Sequence, residues 1–103
     1  MKHFYFLLFL FVLTTGFSQE NAQTGTDIVG LKLYPNPVTQ NKVFIESQHN
    51  GPKQIAIFDV LGTQVLQTTI KGRELNVSRL DKGMYIIRIL ENNKTATRKL
   101  IIK

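Results

Sequence analysis

The side chains that carry most enzyme chemistry are scarce in this sequence. It holds two histidines, His3 and His49, and no cysteine. A zinc site of imidazole and thiolate needs three or four such ligands at set spacings, and nothing here supplies them. Asp27, Asp59 and Asp81 are dispersed, with no D-x-D-x-D run of the kind that wraps calcium. They are expected to be turn residues that accept hydrogen bonds from their own backbone. Ser47 and Ser78 have no histidine in a plausible partnership for nucleophilic catalysis. Glu46, Glu74 and Glu91 could formally supply a glycosidase pair, but each reads as part of a solvated strand face. Asn76-Val77-Ser78 and Asn93-Lys94-Thr95 are glycosylation tripeptides that matter only in a eukaryotic secretory pathway. Tyr34 and Phe44, if exposed, could line a carbohydrate platform, although aromatic residues in so small a domain are expected in the core. The inventory points to a chain with no catalytic residues, no metal and no cofactor.

The elements that would position any site begin after a leader. Met1-Lys2-His3 is a short positive start, and Phe4 to Leu13 is an unbroken apolar run. Thr14-Thr15-Gly16-Phe17-Ser18 then places small residues at the −3 and −1 positions of a cleavage site before Gln19. That is the layout of a secretory signal peptide over 1–18. The apolar run falls well short of the roughly 20 residues that span a bilayer as a helix. With no cysteine at the cleavage point, a lipoprotein signal is excluded. The polar stretch 19–30, QENAQTGTDIVG, reads as a flexible linker. The rest, 31–103, is enough for one small domain. Without disulfides, its stability must come from packing alone.

The sequence has 103 residues and a net charge of +6. Its basic residues are scattered, with no run of five or six and no interleaved aromatic residues. A solvated basic surface is expected, and no nucleic-acid partner.

Short alternating segments follow at regular intervals. Leu31 to Tyr34 reads as a first strand, ended by Pro35-Asn36-Pro37, which cannot join a ladder. Lys42 to Ser47, Lys53 to Asp59, Thr63 to Ile70 and Glu74 to Val77 read as the next four, separated by turn residues that include Gly51, Gly62 and Gly72. Met84 to Glu91 is the sixth. Tyr85, Ile87 and Ile89 lie on one face and Met84, Ile86 and Leu90 on the other, so a central strand covered on both sides is expected. Asn92-Asn93 suits a two-residue type I′ turn into a seventh strand, Thr95 to Lys103. The inward face of that last strand is open, because Leu100 and Ile102 alternate against Ile101. Seven short strands without helical periodicity predict an all-β, seven-stranded β-sandwich.

Five segments come in a telling order: Leu33-Tyr34-Pro35-Asn36-Pro37, Ile57-Phe58-Asp59-Val60-Leu61-Gly62, Leu75-Asn76-Val77-Ser78-Arg79-Leu80, Gly83-Met84-Tyr85-Ile86-Ile87-Arg88-Ile89, and a basic-apolar end with Lys99 and Lys103. The order and spacing resemble the type A C-terminal sorting domain of type IX (Por) secretion cargo in Bacteroidota. The likeness covers about Leu31 to Lys103. It implies a seven-stranded immunoglobulin-like sandwich that acts as an address. Cargo of that family crosses the inner membrane by the general route and meets the outer-membrane translocon in the periplasm. A surface sortase-like peptidase usually cuts in the linker, and the cargo can be joined to lipopolysaccharide. By position, Tyr34, Pro35, Asn36 and Pro37 match the first motif, Asp59 and Gly62 the second, Gly83 and Tyr85 the G-x-Y motif, and Lys99 and Lys103 the basic end. In the family a large cargo precedes the domain, whereas here only 19–30 does. The expectation therefore divides between the domain itself as product, a fragment of a larger gene, and a small partner.

Three functions follow from these observations. The first is a non-catalytic targeting module, exported through the periplasm to the cell surface or medium, whose terminal strand could pair with a receptor strand if it lies at a sheet edge. The second is a free-standing adhesive or carbohydrate-binding sandwich. The third, with least support, is a small protease inhibitor or hydrolase. Fold alone does not choose among them.

Overall fold

The computed structural model describes residues 27–103. The expected signal peptide, the Ser18/Gln19 cleavage point and most of the expected linker lie outside the described residues. Seven strands follow: β1 (Lys32–Tyr34), β2 (Lys42–Glu46), β3 (Lys53–Phe58), β4 (Gln64–Ile70), β5 (Glu74–Asn76), β6 (Gly83–Glu91) and β7 (Lys94–Ile102). Each stands where alternation and turn residues put it, with its ends moved by a single residue at most.

The strands form two antiparallel sheets, β1-β2-β5 and β4-β3-β6-β7. Sequential neighbours make β1-β2, β3-β4 and β6-β7, while β2-β5 and β3-β6 are crossovers. In the constant-type immunoglobulin order, the fourth strand extends the sheet of the first, second and fifth. Here it pairs with β3 instead, from Lys53↔Ile70 to Phe58↔Gln64.

The core lies between the sheets and follows the strand period of two. Val43 and Ile45 enter from β2, Leu75 from β5, Ile55 and Ile57 from β3, and Tyr85, Ile87 and Ile89 from β6. Ala96, Leu100 and Ile102 enter from β7, which settles the face that alternation left open, and Ile101 faces outward. The β6–β7 hairpin turns on Asn92 (φ 51°) and Asn93 (φ 65°), the two left-handed residues that a type I′ turn needs. The folded unit also takes in the stretch before Leu31. Ile28 is buried, Val29 C=O accepts the Gln48 N–H at 3.0 Å, and Arg98 reaches Asp27 at 3.1 Å.

Two expectations need correction. β6 is central between β3 and β7, but only one of its faces is covered, since Met84 and Ile86 are exposed. A strand in an antiparallel sheet can be apolar on its outer face without a second layer over it. Glu91 is not on a solvated face either. It is buried beside the equally buried Lys53, with Nζ and Oε2 3.2 Å apart.

Candidate functional site

The first motif and the last are stitched together. The side chain of Asn36 reaches over to β7 like a short rung of a ladder. Its Nδ2 donates to Lys99 C=O at 2.8 Å, and its Oδ1 accepts the Ile101 N–H at 3.0 Å. Val38 continues the contact through its backbone. Its N–H donates to Ile101 C=O at 2.7 Å, and its C=O accepts the Lys103 N–H at 2.8 Å, making a parallel bridge with Ile102. Pro35 and Pro37, each preceded by a cis peptide bond, flank Asn36 in this crossing. They take the chain from the end of β1 in one sheet to the edge strand of the other. The Val38 side chain is fully buried there, so the crossing is anchored in the core as well as on the edge.

This corrects the expected role of the terminal strand. β7 does lie at a sheet edge, but from Lys99 to Lys103 that edge is already filled by Asn36 and Val38. A receptor strand could add there only by displacing four hydrogen bonds. Unpaired edges invite pairing with other chains, and covering them is a common protection.

The second and fourth motifs sit at the same end of the four-stranded sheet. Phe58 pairs with Gln64 on one side and with Ile86 on the other, and Ile86 pairs with Lys99. Asp59 ties the β3–β4 turn: its Oδ1 accepts the N–H groups of Leu61 at 2.9 Å and Thr63 at 3.0 Å, and its C=O accepts the Gly62 N–H at 3.0 Å. Gly62 has φ +85°, a conformation that a side chain resists. Gly83 opens β6 at φ +154° and pairs with Ile102. Tyr85 packs its ring in the core and donates its hydroxyl to Asp81 C=O at 2.7 Å, which fixes the turn leading into β6. Thus Asn36, Asp59, Gly62, Gly83, Tyr85, Lys99 and Lys103, scattered along the chain, line one end of one sheet. The Lys99 and Lys103 side chains are exposed.

Tyr34 is the exception. It lies on the outer face of the three-stranded sheet, stacked on Phe44 with ring centroids 5.5 Å apart. Neither ring is in the core, contrary to expectation, because their strand positions point away from the second sheet. The Tyr34 hydroxyl donates to Glu46 Oε1 at 2.7 Å, and Arg73 Nη1 donates to the same oxygen at 2.7 Å. The hydrogen bond from Tyr34, helped by the charge and hydrogen bond of Arg73, holds the Glu46 carboxyl below its ordinary range against the opposing effect of burial.

The sequence reading missed the polar plug at the other end of the sandwich. Glu91 Oε2 accepts from Ser47 Oγ at 2.7 Å, from the Gly51 N–H at 2.8 Å and from Lys53 at 3.2 Å. Lys53 Nζ also donates to Gly51 C=O at 3.0 Å. Burial alone would raise the Glu91 carboxyl, but the three donors together hold it below the usual glutamate range. The signal was present in the alternation. Lys53 shares the phase of Ile55 and Ile57, and Glu91 that of Ile87 and Ile89. The plug is structural: none of its fully buried side-chain oxygens and nitrogens lacks a hydrogen-bond partner, and among the described residues no three metal-ligating side chains gather.

Comparison with known proteins bears on the whole unit. The family described as Secretion system C-terminal sorting domain matches residues 32–103. No curated protein matches the chain. Among solved structures, the chain is similar to PorZ of Porphyromonas gingivalis, described as an essential bacterial surface component of the type-IX secretion system. The TM-score is 0.54 at 21% identity, over 72% of this chain and 11% of PorZ. The likeness to PorZ supports the fold, and the chain spans about a tenth of that protein's length.

Proposed function

The chain belongs to the family of secretion system C-terminal sorting domains, and from that membership we propose how its parts serve export. Its role is secretion targeting by the type IX system, which implies a destination at the cell surface or in the extracellular space. The family match over 32–103 carries this conclusion and favours it over an adhesive or carbohydrate-binding sandwich.

The proposal extends to the route and the recognised parts. Residues 1–18 would take the chain across the inner membrane and be removed between Ser18 and Gln19. The folded unit would then meet translocon components in the periplasm. A surface sortase-like peptidase would cut ahead of the unit, with lipopolysaccharide as the acceptor. Within the unit, Pro35, Asn36, Pro37, Asp59, Gly62, Gly83, Tyr85, Lys99 and Lys103 act as shape-setting residues. Their backbone ties and turns fix one end of the four-stranded sheet. Such an end presents a fixed surface, which agrees with a role that asks for no catalytic group.

The test is genetic. The full chain, expressed in a type IX-competent bacterium, should reach the surface or medium. In a translocon-deficient strain it should collect in the periplasm. Equal surface amounts in both strains would refute the reading.

A further inference from the structure

Apolar side chains that stand in water need a reason, and here they gather in one place. Val60 is 69% exposed, Leu61 87%, Val65 40%, Met84 48% and Ile86 39%. Of the large apolar residues exposed in the described part of the chain, only Val29 and Tyr34 lie elsewhere. Met84 lies two residues past the last β3–β6 pair, Phe58↔Ile86, level with the turn that carries Val60 and Leu61. Across the next strand, Met84 faces Ile101.

This is not a floppy tip. The turn is closed by four hydrogen bonds, two to the Asp59 side chain and two between the Asp59 and Thr63–Gly62 backbones. A turn so tied holds Val60 and Leu61 outward at no further ordering cost, as a preorganised binding surface does. On the sheet face beside it the charge has one sign, and the carboxylate of the turn, Asp59, is engaged by the turn's own N–H groups. The outward positions of this sheet, read along the register, are Gln, Thr and apolar residues plus Arg88 and Lys99, with no carboxylate. Arg88 lies over the Phe58 ring at 4.9 Å, and Lys99 faces Ile86.

We propose that this end of the four-stranded sheet, centred on Leu61, Met84 and Ile86, is a docking surface for a protein partner that offers an apolar patch rimmed by carboxylates. Contiguous exposed apolar surface marks interaction sites, and a cationic rim selects an acidic partner and speeds encounter. A second copy of the chain would bring like charges together. A bilayer would accept the turn but not the flat face that runs on across β6 to Ile101. The proposal rests on the sorting role and names the surface through which that role is exercised.

The test uses the full chain in a type IX-competent host. Leu61→Ser acts on a side chain that stands in water and Ile86→Thr keeps a β-branched residue at a partly exposed position, so the protein should stay folded with only a small loss in thermal midpoint. Surface delivery should fall at least about tenfold, as for a hot-spot loss. Lys99→Glu should reduce delivery too, and Lys71→Ser, at the far end of β4, should not. Delivery of the double variant within about twofold of the parent, with the fold intact, would overturn the docking surface and leave the sorting role standing. Absence of delivery for the parent would remove both. Two further measurements on the purified parent decide the occupant. A dimer in sedimentation that the double variant abolishes would overturn the proposal in favour of a second copy. Flotation with phosphatidylglycerol vesicles that the double variant abolishes would overturn it in favour of a membrane.

Discussion

Asn36→Ala is the most informative single change in this fold. The side chain joins the Pro-Asn-Pro crossing to β7 through two hydrogen bonds, to Lys99 C=O and from the Ile101 N–H. A protein hydrogen bond has a net worth of about 0.5–1.5 kcal/mol. Water can reach this edge and take up the freed groups, so the two bonds together should contribute about 1–2 kcal/mol. For a domain of this size, each kcal/mol moves the midpoint by about 4–8 °C, so a loss of roughly 5–15 °C is expected. Calorimetry gives the midpoint, and amide exchange by NMR gives the location. The Ile101 amide should exchange about tenfold faster, while Ile87 and Ile89, deep in the β3–β6 ladder, should change only with global stability. Asn36→Asp is a sharper control. It keeps the acceptor for the Ile101 N–H but sets a carboxylate oxygen against Lys99 C=O, and should be no better than alanine. A midpoint shift under about 2 °C with unchanged Ile101 protection would show that the two bonds do not hold the terminal strand.

Three other outcomes follow from the same geometry. Glu91→Ala should cost about 3–5 kcal/mol, because it strands Lys53 as an unpaired buried charge, whereas Lys53→Met with Glu91→Leu should cost much less; urea denaturation compares them. Glu91 has a depressed folded-state carboxyl, so its stabilisation is complete above the ordinary glutamate pKa of about 4.3 and lost as pH falls through the lower folded value. Melting should therefore be level from neutral to mildly acidic pH and fall steeply below about pH 4, with Glu91→Gln flattening that fall. Gly62→Val forces a β-branched residue to φ +85°, and should destabilise by about 1–3 kcal/mol although nothing crowds the site.

How far the sequence could carry this account depends on the kind of interaction. Strand positions were legible because the alternation of residues such as Ile55 and Ile57 is a local signal with one outcome. The Asn92-Asn93 turn was legible for the same reason, since few residues tolerate its backbone. The pairing of β4 with β3 agrees with the tendency of sequential strands to neighbour, whereas the crossovers β2-β5 and β3-β6 carry no local signal. The Lys53–Glu91 pair was hidden by residue type: the phase said inward, but a charge is read outward unless its partner is known. The tie between Asn36 and β7 joins residues far apart in the chain, and no local pattern announces it. The motifs' order in the sequence identified the resemblance, and only the register showed that most of them meet at one end of one sheet.

The central claim is that the folded unit is sufficient as an address. The direct measurement is surface fluorescence of a reporter placed ahead of residues 19–103, behind its own export signal, in a type IX-competent bacterium and in its translocon-deficient counterpart. Surface signal in the first strain and periplasmic signal in the second is the predicted result. A reporter that stays in the periplasm of both strains, or reaches the surface of both, would contradict it.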